Sequence, residues 1–336
     1  VAITGSYGKT STKNHLTALI GTDRSVVPSP RSFNNRAGLA RAINEHLAPG
    51  TDVFIAEMGT YGPGEIADMV RWCPPRIAVM TAIGPVHLER FGSLEVTLAS
   101  KAEITSGASI VVVNSDDPLL AKFASGLSGI TVLKASAVDK TADVAIIARD
   151  REWDILHERK LLATVAAVPG VQPSNAACAF AVAVALGIDP EHVAARVGVL
   201  GAVENRQNVV QAPSGLLVID DTFNANPAGA AAALGLLSSL SIEGRRAVVT
   251  PGMIELGSEQ AKENAAFAAA VASQADVLLV VGKTNRKALL AGVRGSGSAL
   301  EVHEVRYRQD AVEWVRANLG GRDAVLYEND LPDHYP

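Results

Sequence analysis

The sequence predicts an α/β protein in two parts: a larger domain on a mostly parallel sheet, residues 1–212, and a smaller doubly wound domain, residues 213–336. Three observations predict it. Short apolar runs alternate with helix-like stretches along nearly the whole chain, a pattern that belongs to βαβ units covered on both faces. The first run ends in the turn Gly5-Ser6-Tyr7-Gly8, which opens into a helix-like segment reaching about Ile20. A polar stretch with Pro213 interrupts the series near 205–214, and the alternation then starts again.

In order, Val53–Ala56, Ile77–Met80 and Ile110–Val113 read as buried parallel strands, with helical patterns near 37–48, 63–72, 95–107 and 116–126. Residues 143–168 read as short strands. Residues 173–187 read as an alanine-rich helix whose small side chains suit close packing on the sheet. The second series has strands at Leu216–Ile219, Ala247–Val249, Val277–Val281 and Val325–Tyr327, with helices at 227–241, 258–274 and 309–319. The polar tail from Glu328 to Pro336 reads as a loop.

Composition narrows the function classes. The 336 residues are enough for two domains with a sizeable core. Hydrophobic residues make up 48% and charged residues 19%, which excludes a disordered chain. A net charge of −5 argues against a general binder of nucleic acid or membrane surfaces, and no run of about 18 apolar residues suggests membrane insertion. Cys73 and Cys178 form neither a metal spacing nor a disulfide framework, and a reducing cytoplasm suits them. No signal peptide is evident.

The glycine turn carries the first chemical signal. Glycines let backbone N–H groups approach a phosphate closely, and the following helix adds the positive end of its dipole. Lys9 can reach β- and γ-phosphates, and Thr10 or Ser11 can offer a hydroxyl to Mg²⁺. Two residues separate the glycines where the full Walker A pattern has four, but strand, turn and helix stand in the order a P-loop requires.

Ligands of open α/β sheets gather at the carboxyl ends of strands. Glu57 ends the run Val53–Ala56, where a carboxylate can hold Mg²⁺ and where surface acids also occur. His87 follows the strand 77–81 through Gly84-Pro85-Val86. An imidazole there can ligate a metal or contact phosphate, and by itself is an ordinary turn histidine. Lys101 by itself is a solvated helix lysine, and Asn34-Asn35 by themselves are loop residues.

In combination these runs resemble the Mur ligase family. The runs are Thr4-Gly5-Ser6-Tyr7-Gly8-Lys9-Thr10, Asn34-Asn35 with Gly38, Glu57-Met58-Gly59, His87-Leu88-Glu89-Arg90-Phe91-Gly92 and Lys101-Ala102-Glu103. Asn175-Ala176-Ala177, Asp220-Asp221-Thr222-Phe223-Asn224-Ala225-Asn226-Pro227, Met253-Ile254-Glu255-Leu256-Gly257 and Val281-Gly282 continue the order. The Asp-Asp and Met-x-Glu-Leu-Gly runs are most similar to the D-alanyl-D-alanine-adding branch. The chain departs from the pattern at Ala82, at Pro173-Ser174 before Asn175, at Thr250-Pro251-Gly252, and at Tyr327-Glu328-Asn329-Asp330, where the family has Lys-Gly-Ser-Arg.

The resemblance implies a P-loop-type ATPase domain followed by a Rossmann-like domain that closes over it and carries part of the amine site. It implies an ATP-dependent amide ligase working through an acyl phosphate, on a nucleotide-sugar-peptide carboxylate and an amino-acid or dipeptide amine. Lys9 with Gly5, Ser6, Gly8, Thr10 and Ser11 would bind the nucleotide phosphates. Asn175 and Arg206 would hold its adenine and phosphate side, and Asp220 or Asp221 its ribose. Thr10, Glu57, His87 and Lys101 would serve the Mg²⁺ ions, Lys101 as a carbamate formed with CO₂. Lys9, Lys101 and His87 would be the catalytic residues, and Asn34, Asn35, Asn224 and Asn226 would contact substrates. The family's N-terminal UDP-substrate domain has no counterpart in residues 1–336 and is expected ahead of them. A cytoplasmic monomer, with no nucleic acid and no membrane insertion, fits. The alternatives are a Mur-like ligase for another conjugate and a non-catalytic nucleotide-binding module; retention of Lys9, Thr10, Glu57, His87 and Lys101 speaks against the latter.

Overall fold

The computed structural model describes residues 1–30, 33–86, 88–201, 208–222 and 226–329. Contacts divide the chain into two compact units, Val1–Gly201 and the residues that follow. The division falls ahead of the polar stretch near 205–214, because that stretch contains a strand of the second unit.

The first unit runs β1 (Ala2–Thr4), α1 (Lys9–Ile20), β2 (Val26–Pro28), α2 (Arg36–His46), β3 (Val53–Glu57), α3 (Glu65–Trp72), β4 (Ile77–Met80), α4 (Leu88–Phe91) and α5 (Leu94–Ala102). It continues through β5 (Ile110–Asn114), α6 (Pro118–Ser125), β6 (Thr131–Ser136), β7 (Val144–Arg149), β8 (Glu152–His157), β9 (Lys160–Ala166), α7 (Pro173–Ala185) and α8 (Pro190–Val197). The strands form one sheet in the order β2-β3-β1-β4-β5-β6-β7-β8-β9, parallel through β7 and antiparallel beyond it. Side chains alternate across it as the two-residue strand period requires. Ile3, Val53, Ile55, Ile77, Val79 and Val112 pack on α1, α7 and α8, while Ala2, Ala56, Ala78, Met80, Val111 and Val113 face α2, α3 and α6. Both faces being covered is why these strands read as unbroken apolar runs.

The second unit runs β10 (Asn208–Gln211), β11 (Leu217–Asp221), α9 (Pro227–Ser239), β12 (Arg246–Thr250), α10 (Gln260–Gln274), β13 (Val277–Val281), α11 (Arg286–Ser296), β14 (Glu301–Val305), α12 (Arg308–Asn318) and β15 (Ala324–Glu328). Its sheet order is β10-β11-β15-β12-β13-β14, parallel except for β10. Ile219, Val248, Leu278 and Leu326 pack under α9, α10 and α11, and Ala247, Val249, Leu279 and Val325 pack under α12. Glu328, read from sequence as the start of a loop, is the last residue of β15 and fully buried. The strand outruns its apolar stretch because Asp220 and Asp221 of β11 pair with Tyr327 and Glu328.

Candidate functional site

The glycine loop joins β1 to α1 beside the end of β4. Gly8 is the N-cap of α1 at φ 80, a left-handed conformation that glycine adopts without strain. A Cβ there would overlap the Asn175 amide at the start of α7, so loop and helix are in direct apposition. The end of β4 pins the loop. Ser6 N–H donates to Ala82 O at 2.7 Å. Ser6 Oγ donates to Gly84 O at 3.2 Å and accepts from Gly84 N–H at 3.0 Å. The Thr81 hydroxyl donates to Tyr7 O. This support is itself braced: Asn114 Nδ2 donates to Thr81 O at 3.0 Å, and Asp117 accepts from Ile83 N–H at 2.6 Å.

Lys9 opens α1, and its ammonium donates to Gly5 O at 2.7 Å. Thr10 Oγ1 donates to Glu57 Oε2 at 3.0 Å, and Lys13, one helical turn on, donates to the same oxygen at 2.9 Å. Lys13 and Glu57 are each 2% exposed. Asn34 Nδ2 donates to the other oxygen, Oε1, at 3.4 Å. Burial opposes ionisation of Glu57, but the charges of Lys13 and Lys9 and the hydrogen bonds from Lys13 and Thr10 outweigh it. The carboxyl is therefore held below its ordinary range.

Lys101 on α5 is buried. Burial first, and then the charge of Lys9, lower its ammonium to about 7. Glu103 of the same sequence run has a different task. Its carboxylate accepts from the Gly64 and Ala67 N–H groups at 2.7 and 2.9 Å and caps α3.

Other expected site residues are found as follows. Ser11 is half-buried on α1. Asn35 caps α2 by accepting from Gly38 N–H at 2.8 Å, and Asn226 caps α9 by accepting from Gly229 N–H at 2.8 Å. Asp220 accepts from the N–H and hydroxyl of Thr222 at 3.2 and 2.7 Å, and Asp221 is buried at the end of β11. His87, Arg206 and Asn224 lie outside the described residues. Lys9, Thr10, Asn34, Glu57, Lys101 and, through Gly8, Asn175 are thus gathered at one edge of the first sheet. Asp220, Asp221 and Asn226 belong to the second unit.

Lys13 was missed by the sequence reading. The available signal was its spacing of four from Lys9, which puts both on one face of α1. Among the described residues no group of three or more His, Cys, Asp or Glu converges on a metal position. The ionised Glu57 with the Thr10 hydroxyl is nonetheless a hard-oxygen donor set of the kind Mg²⁺ takes together with phosphate oxygens and water.

Residues 3–183 match the Mur ligase middle domain and residues 205–327 the Mur ligase, glutamate ligase domain. The UDP-N-acetylmuramoyl-tripeptide–D-alanyl-D-alanine ligase of Mycobacterium bovis is 35% identical over 97% of this chain and 69% of its own. The ligase of the same name from Bacillus subtilis is 27% identical over 98% of this chain and 72% of its own. The crystal structure of MurF ligase from Thermotoga maritima in complex with ADP superposes with a TM-score of 0.81 at 25% identity, over 98% of this chain and 75% of that one. Among the described residues no helix is long and apolar enough to cross a membrane. With both units matched and the glycine loop built and braced, the chain belongs to the Mur ligase family.

Proposed function

We propose that this chain is an ATP-dependent, ADP-forming amide ligase of peptidoglycan synthesis, joining D-alanyl-D-alanine or a similar amine to the carboxylate of a UDP-sugar-peptide. One observation carries the reading: a buried, ionised Glu57 wired to Thr10 and Lys13 beside the glycine loop. The names of the relatives support the substrate pair, and the ADP complex supports the nucleotide.

In the reaction an oxygen of the substrate carboxylate attacks the γ-phosphorus of ATP, ADP leaves, and an acyl phosphate forms. The amine nitrogen then attacks the acyl carbon, inorganic phosphate leaves, and the nitrogen gives up its proton. The loop N–H groups and the N-terminus of α1 bind phosphate oxygens, and the Lys9 ammonium meets the charge of the transferring group. Because the loop is pinned by Ala82, Gly84 and Thr81, its dipoles need no reorganisation as that charge shifts. Thr10, Glu57 and His87 would hold Mg²⁺, which supplies neutralising charge to the phosphates. Lys101 enters as a carbamate. Its neutral amine attacks CO₂, an N–C bond forms and a proton is lost, turning a cation into an anion. With its ammonium at about 7, the amine that CO₂ requires is abundant at neutral pH. Asn175 and Arg206 flank the nucleotide, Asp220 or Asp221 its ribose, and Asn34, Asn35, Asn224 and Asn226 the substrates. A cytoplasmic monomer completes the reading.

Phosphate release measured with candidate carboxylate and amine together, with the product weighed by mass spectrometry, tests it. Release that needs both substrates, and that disappears in a folded Lys9→Ala variant, is the expected result. ATP turnover indifferent to the amine, with no amide formed, would sink the proposal.

A further inference from the structure

Phosphate binding accounts for Lys9 but not for a second buried lysine one turn further along α1. Lys13 and its partner Glu57 are each 2% exposed. A buried ion pair is weak as a source of stability, because apolar side chains of similar volume often serve as well. The geometry of this pair gives it another use.

The backbone around Glu57 is fixed from both sides. Met58 N–H donates to Ile3 O of β1 at 2.8 Å, and Thr4 Oγ1 donates to Met58 O at 2.8 Å. On the other side Glu57 N–H donates to Ser29 Oγ, just past β2, at 3.1 Å. These bonds place the Cα but not the carboxylate. The last torsion of a glutamate is broad and two-fold, so either oxygen can take the outer position.

The two oxygens differ here. Oε2 accepts from Lys13 Nζ at 2.9 Å and from Thr10 Oγ1 at 3.0 Å. A carboxylate oxygen has about two lone-pair sites, so Oε2 is filled. Among the described residues Oε1 receives only the long bond from Asn34 Nδ2 at 3.4 Å. The Thr10 hydroxyl gives its hydrogen to an oxygen that can only accept, which leaves the lone pairs of Oγ1 to a cation.

We propose that Lys13 is a positioning residue of the Mg²⁺ site: by holding Oε2 it presents Oε1 alone, so that Glu57 meets the metal through one oxygen. A compact ammonium suits this task, since it takes one oxygen where a guanidinium fork spans both. Coordination through one oxygen favours Mg²⁺, which demands a near-octahedral shell, over Ca²⁺, which accepts a carboxylate through both oxygens. The metal's part in phosphoryl transfer rests on the ligase reading; the choice of oxygen does not.

Calorimetry on the full chain tests it, with ADP titrated in Mg²⁺ and in Ca²⁺. Lys13→Met keeps a long side chain and releases Oε2. Loss of a nearby positive charge by itself strengthens both cations alike. Release of Oε2 lets the carboxylate chelate, which helps Ca²⁺ alone. The ratio of the two dissociation constants should therefore move toward Ca²⁺ by about tenfold. An unchanged ratio in the folded variant reduces Lys13 to a structural ion pair and overturns the proposal. The wild-type chain supplies a second measurement that does not need Lys13→Met to fold. Its lysine ammonium signals are followed by heteronuclear NMR, with Lys13→Arg, which keeps the charge, to assign them. The Lys13 signal should be protected from exchange and should persist when Mg²⁺ and ADP are added. A signal absent from the outset, or lost on adding the metal, also overturns the proposal. Amide formation with an unchanged ratio would count against the role of Lys13 alone. A shifted ratio with no amide from any amine would count against the ligase reading alone, and no metal-dependent ADP binding by the wild-type chain would count against both.

Discussion

Removing Lys13 leaves the Glu57 carboxylate buried without its nearest counter-charge. Lys13→Met should therefore cost about 3–5 kcal/mol in urea unfolding, and Lys13→Met/Glu57→Gln should recover part of that loss. The carboxyl of Glu57 is depressed in the folded state, so its contribution is present above the unfolded value and lost as pH falls through the folded one. The double variant should lack that acid-side loss, and equal acid profiles would contradict the pairing. Lys101 gives a slope of the same sign at higher pH. Its ammonium is lowered to about 7, so the unfolded chain binds more protons above that pH and stability rises with pH across the window. Below about 7 the amine is protonated and cannot take up CO₂, so bicarbonate-dependent activity should fall there. Lys101→Ala should keep the fold, lose most activity and regain part of it with formate; full activity in CO₂-depleted buffer would return Lys101 to a structural role. Lys9, Thr10 and Glu57 were legible because glycine spacing and strand ends announce them. The burial of Lys101 was not, because α5 buries its polar stripe Thr97, Ser100 and Lys101 and exposes Val96, reversing the usual amphipathic rule.

At the scale of elements, α7 is the tightest joint. Eight consecutive residues, Ala176–Ala183, are 0% exposed, so the helix has no solvent face along that length. Ala179→Leu should cost about 1–3 kcal/mol by overpacking, read as a lower melting temperature; an unchanged value would show slack between α7 and its neighbours. Alanine richness made this helix readable in advance, as uniform apolar runs did for the central strands. Edge elements escaped for the complementary reason. β14, Glu-Val-His-Glu-Val, alternates instead of running apolar, and β2 is three residues ending in proline. β10 lies at the antiparallel edge within a stretch whose polarity read as a break.

For the whole molecule, the two-part organisation was visible because the alternation restarts, whereas the place of division depended on which sheet β10 joins. The glycine loop, its braces from β4, Glu57, Lys101 and Asn175 all lie within Val1–Gly201. Residues 1–201 expressed alone should therefore fold and bind ADP with Mg²⁺, more weakly than the full chain for want of Arg206 and Asp220 or Asp221, checked by circular dichroism and calorimetry; a folded fragment blind to ADP would move the principal nucleotide contacts to the second unit. The central position of β1 also sets a schedule for synthesis. Ser6 leaves the ribosome 78 residues before its partner Gly84, and the Asn175 amide that closes on Gly8 follows far later. Until Gly84 emerges the loop is an unanchored glycine segment, and until α7 follows its Gly8 side has no neighbour to close on. Translation arrested before α7 should yield nascent chains that ignore ADP, and capacity should appear abruptly once that helix emerges. Cellular nucleotide would then act as a late ratchet, favouring only chains that have finished the unit.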